Sequence, residues 1–181
     1  MVHIKVVEGI PGIRSLVDFR PDTGKPLYAL AEVLLRGESL LSPAERELIA
    51  AYVSSLNQCE FCTLSHAAAA RELYHSNGDI VDLTLQDFND APLSQRMRAL
   101  LHIAGKVQQS GKAVTSQDIE RAKEQGADDS AIHDTVLIAA TFCMFNRYVD
   151  GLASLTPTDP KEYQAMGKRL AVHGYQFPKK D

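Results

Sequence analysis

The sequence predicts an all-α protein, and three observations support this fold class. Apolar residues recur at helical spacing, as in the series Leu93, Met97, Leu100 and Leu101. Prolines and capping residues stand where helices would begin. No segment alternates apolar and polar residues as a half-buried strand does. Because 181 residues fit the size of one domain, we expect a single helical bundle.

The first elements follow from proline, glycine and capping signals. Residues 1–25 are rich in proline and glycine, so we expect an irregular arm there. Pro26 then starts a helix that Gly37 ends. Ser42-Pro43-Ala44-Glu45 can form a capping box for the next helix, whose apolar stripe contains Leu48, Ile49, Tyr52, Val53 and Leu56.

The later helices follow from the same kinds of signal. They are expected at about 59–74, from Pro92, from Thr115, from Asp128 and at about 161–172, with a short segment at 82–89. Residues 131–149 are apolar almost all round, which predicts the buried centre of a bundle or a helix covered by a partner subunit. We therefore divide the chain into an arm (1–25), a helical domain (26–155) and a C-terminal helical extension (156–181).

Composition excludes several classes of protein. A net charge of −4 argues against nucleic-acid binding, and no apolar run reaches the ~20 residues that span a membrane. The first 20 residues lack the apolar segment of a signal peptide. Three cysteines are too few for a disulfide scaffold. We therefore expect a cytoplasmic protein, in which a close cysteine pair is catalytic or metal-binding.

One segment carries residues suited to thiol chemistry. Cys59, Cys62 and His66 lie at about 0°, 300° and 340° around a helix, so they share one face. The first helical turn favours a negative thiolate. His66, four residues after Cys62, is placed to accept its proton. A CxxC pair can also close into a disulfide after one sulfur is oxidised.

Glu47 is the candidate partner of His66. It lies on the preceding helix, on a face whose small residues allow another helix to approach closely: Ala50, Ala51 and Ser54. We hypothesise that this carboxylate turns inward to orient His66 or relay its proton. A solvated helix carboxylate is the alternative.

Other interpretations of these residues stay open. The CxxC pair could bind zinc or be a coincidence, but zinc usually takes four ligands and a second pair is lacking. Cys143 lies on the apolar helix and is interpreted as a core thiol. Residues Phe145–Asp150 form either a polar cluster at a helix end, a subunit contact or a second wall of an active site.

Glu47 followed by Cys59-x-x-Cys62-x-x-x-His66 in a helical chain resembles the alkylhydroperoxidase D (AhpD)-like group of the carboxymuconolactone decarboxylase superfamily. The Ser42-Pro43 helix start and Phe145-Asn146-Arg147 resemble its peroxidase-related branch, and the resemblance spans about residues 25–155. It implies an all-α, AhpD-like helical bundle that is an obligate or near-obligate homo-oligomer, a trimer or hexamer.

The resemblance also implies a peroxidase (EC 1.11.1.-) that requires no cofactor. By resemblance, Cys62 is the peroxidatic thiol, Cys59 is the resolving thiol, and His66 and Glu47 form the proton relay. Its partners would be a hydroperoxide substrate and an external dithiol or lipoyl-type reductant. The family's best-studied peroxidase has a His between its two cysteines, where Glu60 and Phe61 stand here.

Two alternative functions accompany the peroxidase. One is a thiol–disulfide oxidoreductase or redox sensor without fast peroxide turnover. The other is a cofactor-free carboxymuconolactone decarboxylase-like lyase, which would not need the cysteine pair. In the C-terminal extension, Tyr163, Leu170 and Tyr175 would be exposed apolar surface, so we expect this segment to dock on a neighbouring subunit.

Overall fold

All regular structure is helical in the computed structural model, which describes residues 2–177. No strand occurs in this range, so the all-α prediction is confirmed. The α-helices within it are α1 (Gly12–Phe19), α2 (Pro21–Arg36), α3 (Pro43–Leu56), α4 (Glu60–Tyr74), α5 (Asp79–Asp87), α6 (Gln95–Gln109), α7 (Ser116–Glu124), α8 (Asp129–Gly151) and α9 (Pro160–His173). Single 3-10 turns lie at His75–Asn77 and Gly111–Ala113. None of these helices combines the length and hydropathy that a membrane span requires.

Side-chain caps fix the starts of the central helices. Ser42 accepts a hydrogen bond from the Glu45 amide, and the Glu45 carboxylate accepts one from the Ser42 amide. Thr115 and Asp118 form the same reciprocal box at α7. Each box satisfies two amides that the first helical turn leaves free. The predicted starts of α3, α7 and α8 are thus confirmed.

The N-terminal residues differ from prediction. Residues 12–19 form α1, and α2 already begins at Pro21, so the expected irregular arm is wrong for this part and α2 crosses the expected boundary at residue 26. Pro26 lies inside α2. Its missing amide leaves only the Asp22 carbonyl without a helical partner, and Asp22 is exposed to solvent. A proline one turn into a helix is therefore tolerated here.

The observed starts of α6 and α5 also differ from the predicted ones, and nearby residues explain the difference. Helix α6 begins three residues after Pro92 because the Ser94 side chain accepts a hydrogen bond from the Met97 amide. The segment expected at 82–89 is the helix α5, which starts earlier, with Asp79 in its first turn. An acidic residue there is favoured by the helix dipole.

Helix α3 occupies the middle of the fold and packs against α4, α6 and α8. Its neighbour α8 is buried along one face by Ile138, Phe142 and Val149. Its other face leaves Leu137 38% and Met144 44% exposed, so α8 is not a fully enclosed central helix. Cys143 is half-buried and packs against the core.

The C-terminal extension packs on its own chain. Helix α9 lies against α4, and Tyr163, Leu170 and Tyr175 are all at least nine-tenths buried within the protomer. The expectation that these residues need a neighbouring subunit to cover them is therefore wrong. They complete the core instead, because α4 presents small residues to α9.

Gly167 allows this close contact and supplies a test of it. A Cβ at Gly167 would lie 2.7 Å from the carbonyl carbon of Ala68 and 2.8 Å from its Cβ. Because backbone atoms cannot move aside cheaply, we expect Gly167→Ala to lower the free energy of unfolding by about 1–3 kcal/mol in urea titrations.

Gly151 is the matched control, since it is also helical but a Cβ there would meet nothing within 4 Å. Gly151→Ala should change the free energy of unfolding by less than about 1 kcal/mol. Equal stability of the two variants would contradict a tight α4–α9 contact.

Candidate active site

The turn between α3 and α4 brings both cysteines to a helix start. Gln58 takes a left-handed backbone conformation (φ 59°), and Cys59 is the N-cap of α4. Cys62 then lies in the first turn, where free amides favour a negative charge. Both are free thiols, and Cys59 is 0% and Cys62 4% exposed.

An amide network holds this turn in place. Asn57 Nδ2 donates to Asn146 Oδ1 at 2.8 Å, and Asn146 Nδ2 donates to Ser54 Oγ at 3.0 Å. The polar residue on α8 thus joins α8 to the chain just before the cysteines. Phe145 beside it lines a cavity at the thiols. Residues from Phe145 onward therefore contribute both a polar cluster and a wall of this cavity.

Glu47 and His66 meet in the interior. The Glu47 side chain is completely buried, and its Oε2 lies 2.7 Å from His66 Nδ1. The small residues beside Glu47 on α3, among them Ala50 and Ala51, let α4 approach this closely. With Nδ1–H donating to the carboxylate, the other ring nitrogen, Nε2, is the one able to accept a proton.

Sequence reasoning missed two residues that bind the same carboxylate. Arg36 Nη2 and the Tyr175 hydroxyl each donate to Glu47 Oε1 at 2.6 Å. The Tyr175 hydroxyl also lies 3.1 Å from His66 Nδ1, and its ring is 5.2 Å from the Arg36 guanidinium carbon. Arg36 resembles an ordinary basic residue at a helix end, and Tyr175 follows the last helix, so neither carried a local signal.

These contacts keep Glu47 charged despite its burial. Burial alone would raise the pKa of Glu47, but His66, Arg36 and Tyr175 together lower it below its usual value. Burial and the Glu47 charge raise the pKa of Tyr175 well above its usual value. At neutral pH the site therefore contains a carboxylate and a protonated phenol that donates to it.

The two thiols also interact. A hydrogen bond with the Cys62 thiol, followed by burial, raises the pKa of Cys59. The protonated form of the Cys59 thiol is therefore favoured. No group of three or more His, Cys, Asp or Glu side chains within residues 2–177 is arranged to hold a metal ion.

A cavity of about 270 Å³ opens onto Cys62 and His66. Most of the side chains that line it are aliphatic or aromatic, and they come from α2, α4, α8, α9 and the segment after α9. His66 is fixed within it by edge-to-face contact with Phe142, at 4.5 Å between ring centroids. A small apolar molecule can therefore reach the thiol and the imidazole together.

The contribution of the Tyr175 hydroxyl can be measured. Tyr175→Phe keeps the ring but removes one donor from buried, charged Glu47, so we expect a loss of about 1–3 kcal/mol in the free energy of unfolding at pH 7. Tyr148→Phe is the control, because that hydroxyl has no hydrogen-bond partner within residues 2–177.

The loss should depend on pH. Since the pKa of Glu47 is lowered by folding, its stabilising contribution is present above its unfolded value of about 4.3 and is lost as the pH falls below it. The phenol binds the ionised carboxylate, so the difference between wild type and Tyr175→Phe should shrink below about pH 4.3. A difference that is constant with pH would instead indicate a packing role.

The chain is similar to one protein family and to several solved structures. The sequence model of the carboxymuconolactone decarboxylase family matches residues 21–91. No curated protein is significantly similar. The structure of an uncharacterized peroxidase-related protein from Silicibacter sp. TM1040 superposes with a TM-score of 0.77 at 30% identity, over 87% of this chain and 81% of that one.

Two other solved structures are similar. An uncharacterized peroxidase-related protein from Ralstonia eutropha JMP134, described as an alkylhydroperoxidase AhpD core, has a TM-score of 0.78 at 27% identity, over 88% of this chain and 82% of that one. A protein of unknown function from Agrobacterium tumefaciens shares the fold, with a TM-score of 0.72 at 19% identity over 88% of this chain and 100% of that one. The chain therefore belongs to the AhpD and carboxymuconolactone decarboxylase superfamily.

Proposed function

We propose that this protein is an AhpD-type thiol peroxidase that reduces hydroperoxides through Cys59 and Cys62. The observation that carries the proposal is the placement of Cys62 beside His66 in one apolar cavity, with His66 bound to buried Glu47. A nucleophile, a base and a group that orients the base are the parts that thiol chemistry requires.

In the first step, the Cys62 thiolate attacks the outer oxygen of the hydroperoxide. An S–O bond forms, the O–O bond breaks, and the alkoxide leaves with a proton to become an alcohol. His66 Nε2 takes the thiol proton and returns it to the alkoxide. Glu47 stabilises the charged imidazole formed in between, because its carboxylate accepts the Nδ1 hydrogen bond. Cys62 is left as a sulfenic acid.

In the second step, the Cys59 sulfur attacks the Cys62 sulfur. An S–S bond forms and the sulfenic oxygen leaves as water, so the pair has given up two electrons in total. Cys62 lines the cavity with His66, whereas Cys59 is fully buried and does not line it, which supports Cys62 as the thiol that reacts first and Cys59 as the resolving partner. An external dithiol, such as a lipoyl-type arm, would reduce the disulfide and become oxidised itself.

Burial of the pair favours a small oxidant over a protein disulfide. Cys59 is fully buried and Cys62 is 4% exposed, whereas exchange with a protein disulfide requires the attacking sulfur to reach the surface. A hydroperoxide or a slender dithiol arm can enter the cavity instead. This supports a peroxidase over a general thiol–disulfide oxidoreductase.

Thiol counting with site-directed variants tests the cycle. We expect tert-butyl hydroperoxide to reduce the free thiols per chain from three to one in wild type, because only Cys59 and Cys62 form the disulfide. In Cys59→Ser, Cys62 should stop as a sulfenic acid that dimedone traps. In Cys62→Ser, tert-butyl hydroperoxide should oxidise the remaining thiols no faster than it oxidises thiols in the unfolded protein.

Cys143→Ser is the matched control, since it removes a thiol outside the pair and should still lose two thiols per chain. Glu47→Gln should slow thiol oxidation by about 10²–10⁴-fold without changing the end point. Unchanged thiol counts in folded wild type, or bound zinc in metal analysis, would contradict the proposal.

We also propose that the protein is a homo-oligomer. The exposed side chains of Leu137 and Met144 support a subunit contact, since seven residues, or about two helical turns, separate them and they share one face of α8. Light scattering should then give a trimer or hexamer, and Met144→Asp should lower the mass. A wild-type mass of 19.9 kDa would contradict this proposal.

A further inference from the structure

The cavity at Cys62 is apolar but has a positively charged edge. Arg14 from α1 and Arg169 from α9 both line it, and no Asp or Glu of the described residues does. Both arginines are solvent-exposed to a large extent, whereas Cys62 is buried. The two guanidinium groups therefore lie at the solvent side of the cavity, and the Cys62 thiol lies at its interior end.

The charges of Arg14 and Arg169 affect the pKa values of two phenols that line the cavity. Burial raises the pKa of the Tyr28 phenol, and Arg169 and Arg14 oppose that rise. Arg169 likewise opposes the raised pKa of Tyr175. Both phenols line the cavity, so the two arginines contribute positive potential at its wall, opposed at Tyr175 by the Glu47 carboxylate. An anionic ligand would be attracted there.

Both arginines keep hydrogen-bond donors that no residue of 2–177 binds closely. Arg14 has one loose ion pair, at 3.9 Å from Asp18, and its side chain is half exposed. Arg169 forms no hydrogen bond or ion pair with any residue of 2–177. Arg36, the third arginine nearby, differs because it is bound to Glu47 and to the carbonyls of Leu35 and Leu170. Arg14 and Arg169 are thus the groups available for a ligand.

We propose that the preferred substrate is the hydroperoxide of an apolar carboxylic acid, whose carboxylate binds Arg169 and Arg14 while its peroxide group lies at Cys62. This inference rests on the proposed peroxidase function. Arginine suits the role because its planar donors match a carboxylate. A cavity of about 270 Å³ is just below the range for small-molecule pockets, which favours a medium-length acyl chain over a long one.

Binding can be tested without turnover, using octanoate as the probe and octanamide as its neutral counterpart. Octanoate should protect Cys62 from alkylation by uncharged iodoacetamide at concentrations about tenfold lower than octanamide. Arg169→Gln combined with Arg14→Gln should abolish this preference. Arg147→Gln is the control, since Arg147 is an exposed arginine outside the cavity and should retain it.

Turnover separates substrate from reductant. For a medium-chain hydroperoxy acid and its methyl ester, kcat/KM should favour the acid by about tenfold, mainly through KM, and the double variant should lose this preference while keeping ester turnover. With tert-butyl hydroperoxide as oxidant, the KM for uncharged dihydrolipoamide should be the same in wild type and in the double variant. A change there would assign the arginines to the reductant and overturn the inference.

The two proposals fail in different ways. Equal protection by octanoate and octanamide, with normal tert-butyl hydroperoxide turnover, overturns the carboxylate site and leaves the peroxidase proposal standing. If no hydroperoxide oxidises the pair, the peroxidase proposal fails together with the substrate, and octanoate protection then reports only an anion site.

Discussion

Burial of the Glu47 charge is the constraint on which the rest of the structure depends. A carboxylate removed from water costs several kcal/mol unless other groups replace its hydrogen bonds. Here the replacements come from three separate elements: Arg36 ends α2, His66 lies on α4 and Tyr175 follows α9. One ionised side chain on α3 therefore fixes the positions of α2, α4 and the C-terminal segment at a single point.

The same contacts of Glu47 also orient the imidazole ring of His66. The two oxygens of Glu47 are divided, with Oε2 bonding His66 and Oε1 accepting from both Arg36 and Tyr175. This division sets which ring nitrogen of His66 faces the carboxylate and so which one is left for the thiol. Because α4 is held by its histidine, its first turn, with Cys59 and Cys62, is also held against the cavity. The groups that stabilise the fold are thus the groups that position His66, the proposed base.

The sequence predicts what depends on nearby residues and misses what depends on distant ones. The cysteine and histidine face, the inward turn of Glu47 and the capped helix starts all follow from patterns within about 20 positions. Arg36 and Tyr175 lie 139 positions apart and meet only through the fold. Helix α1 was missed because Pro11 offers no side-chain cap and the helix begins at Gly12, a residue typical of turns. Gly12 has a positive φ, and a Cβ at this position would overlap the Phe61 ring.

The match to the family divides the site into two parts. Residues 21–91 include Arg36, Glu47, the cysteine pair and His66. The groups from outside that range, Tyr175, Arg169 and Phe142 among them, build the walls and the charged edge of the cavity. In the proposed function, the redox residues of this chain lie within the matched range, whereas the groups that would select the peroxide come from α1, α8 and the C-terminal extension. Arg169 can then change without disturbing the buried carboxylate, whereas Tyr175 cannot, because it also donates to Glu47.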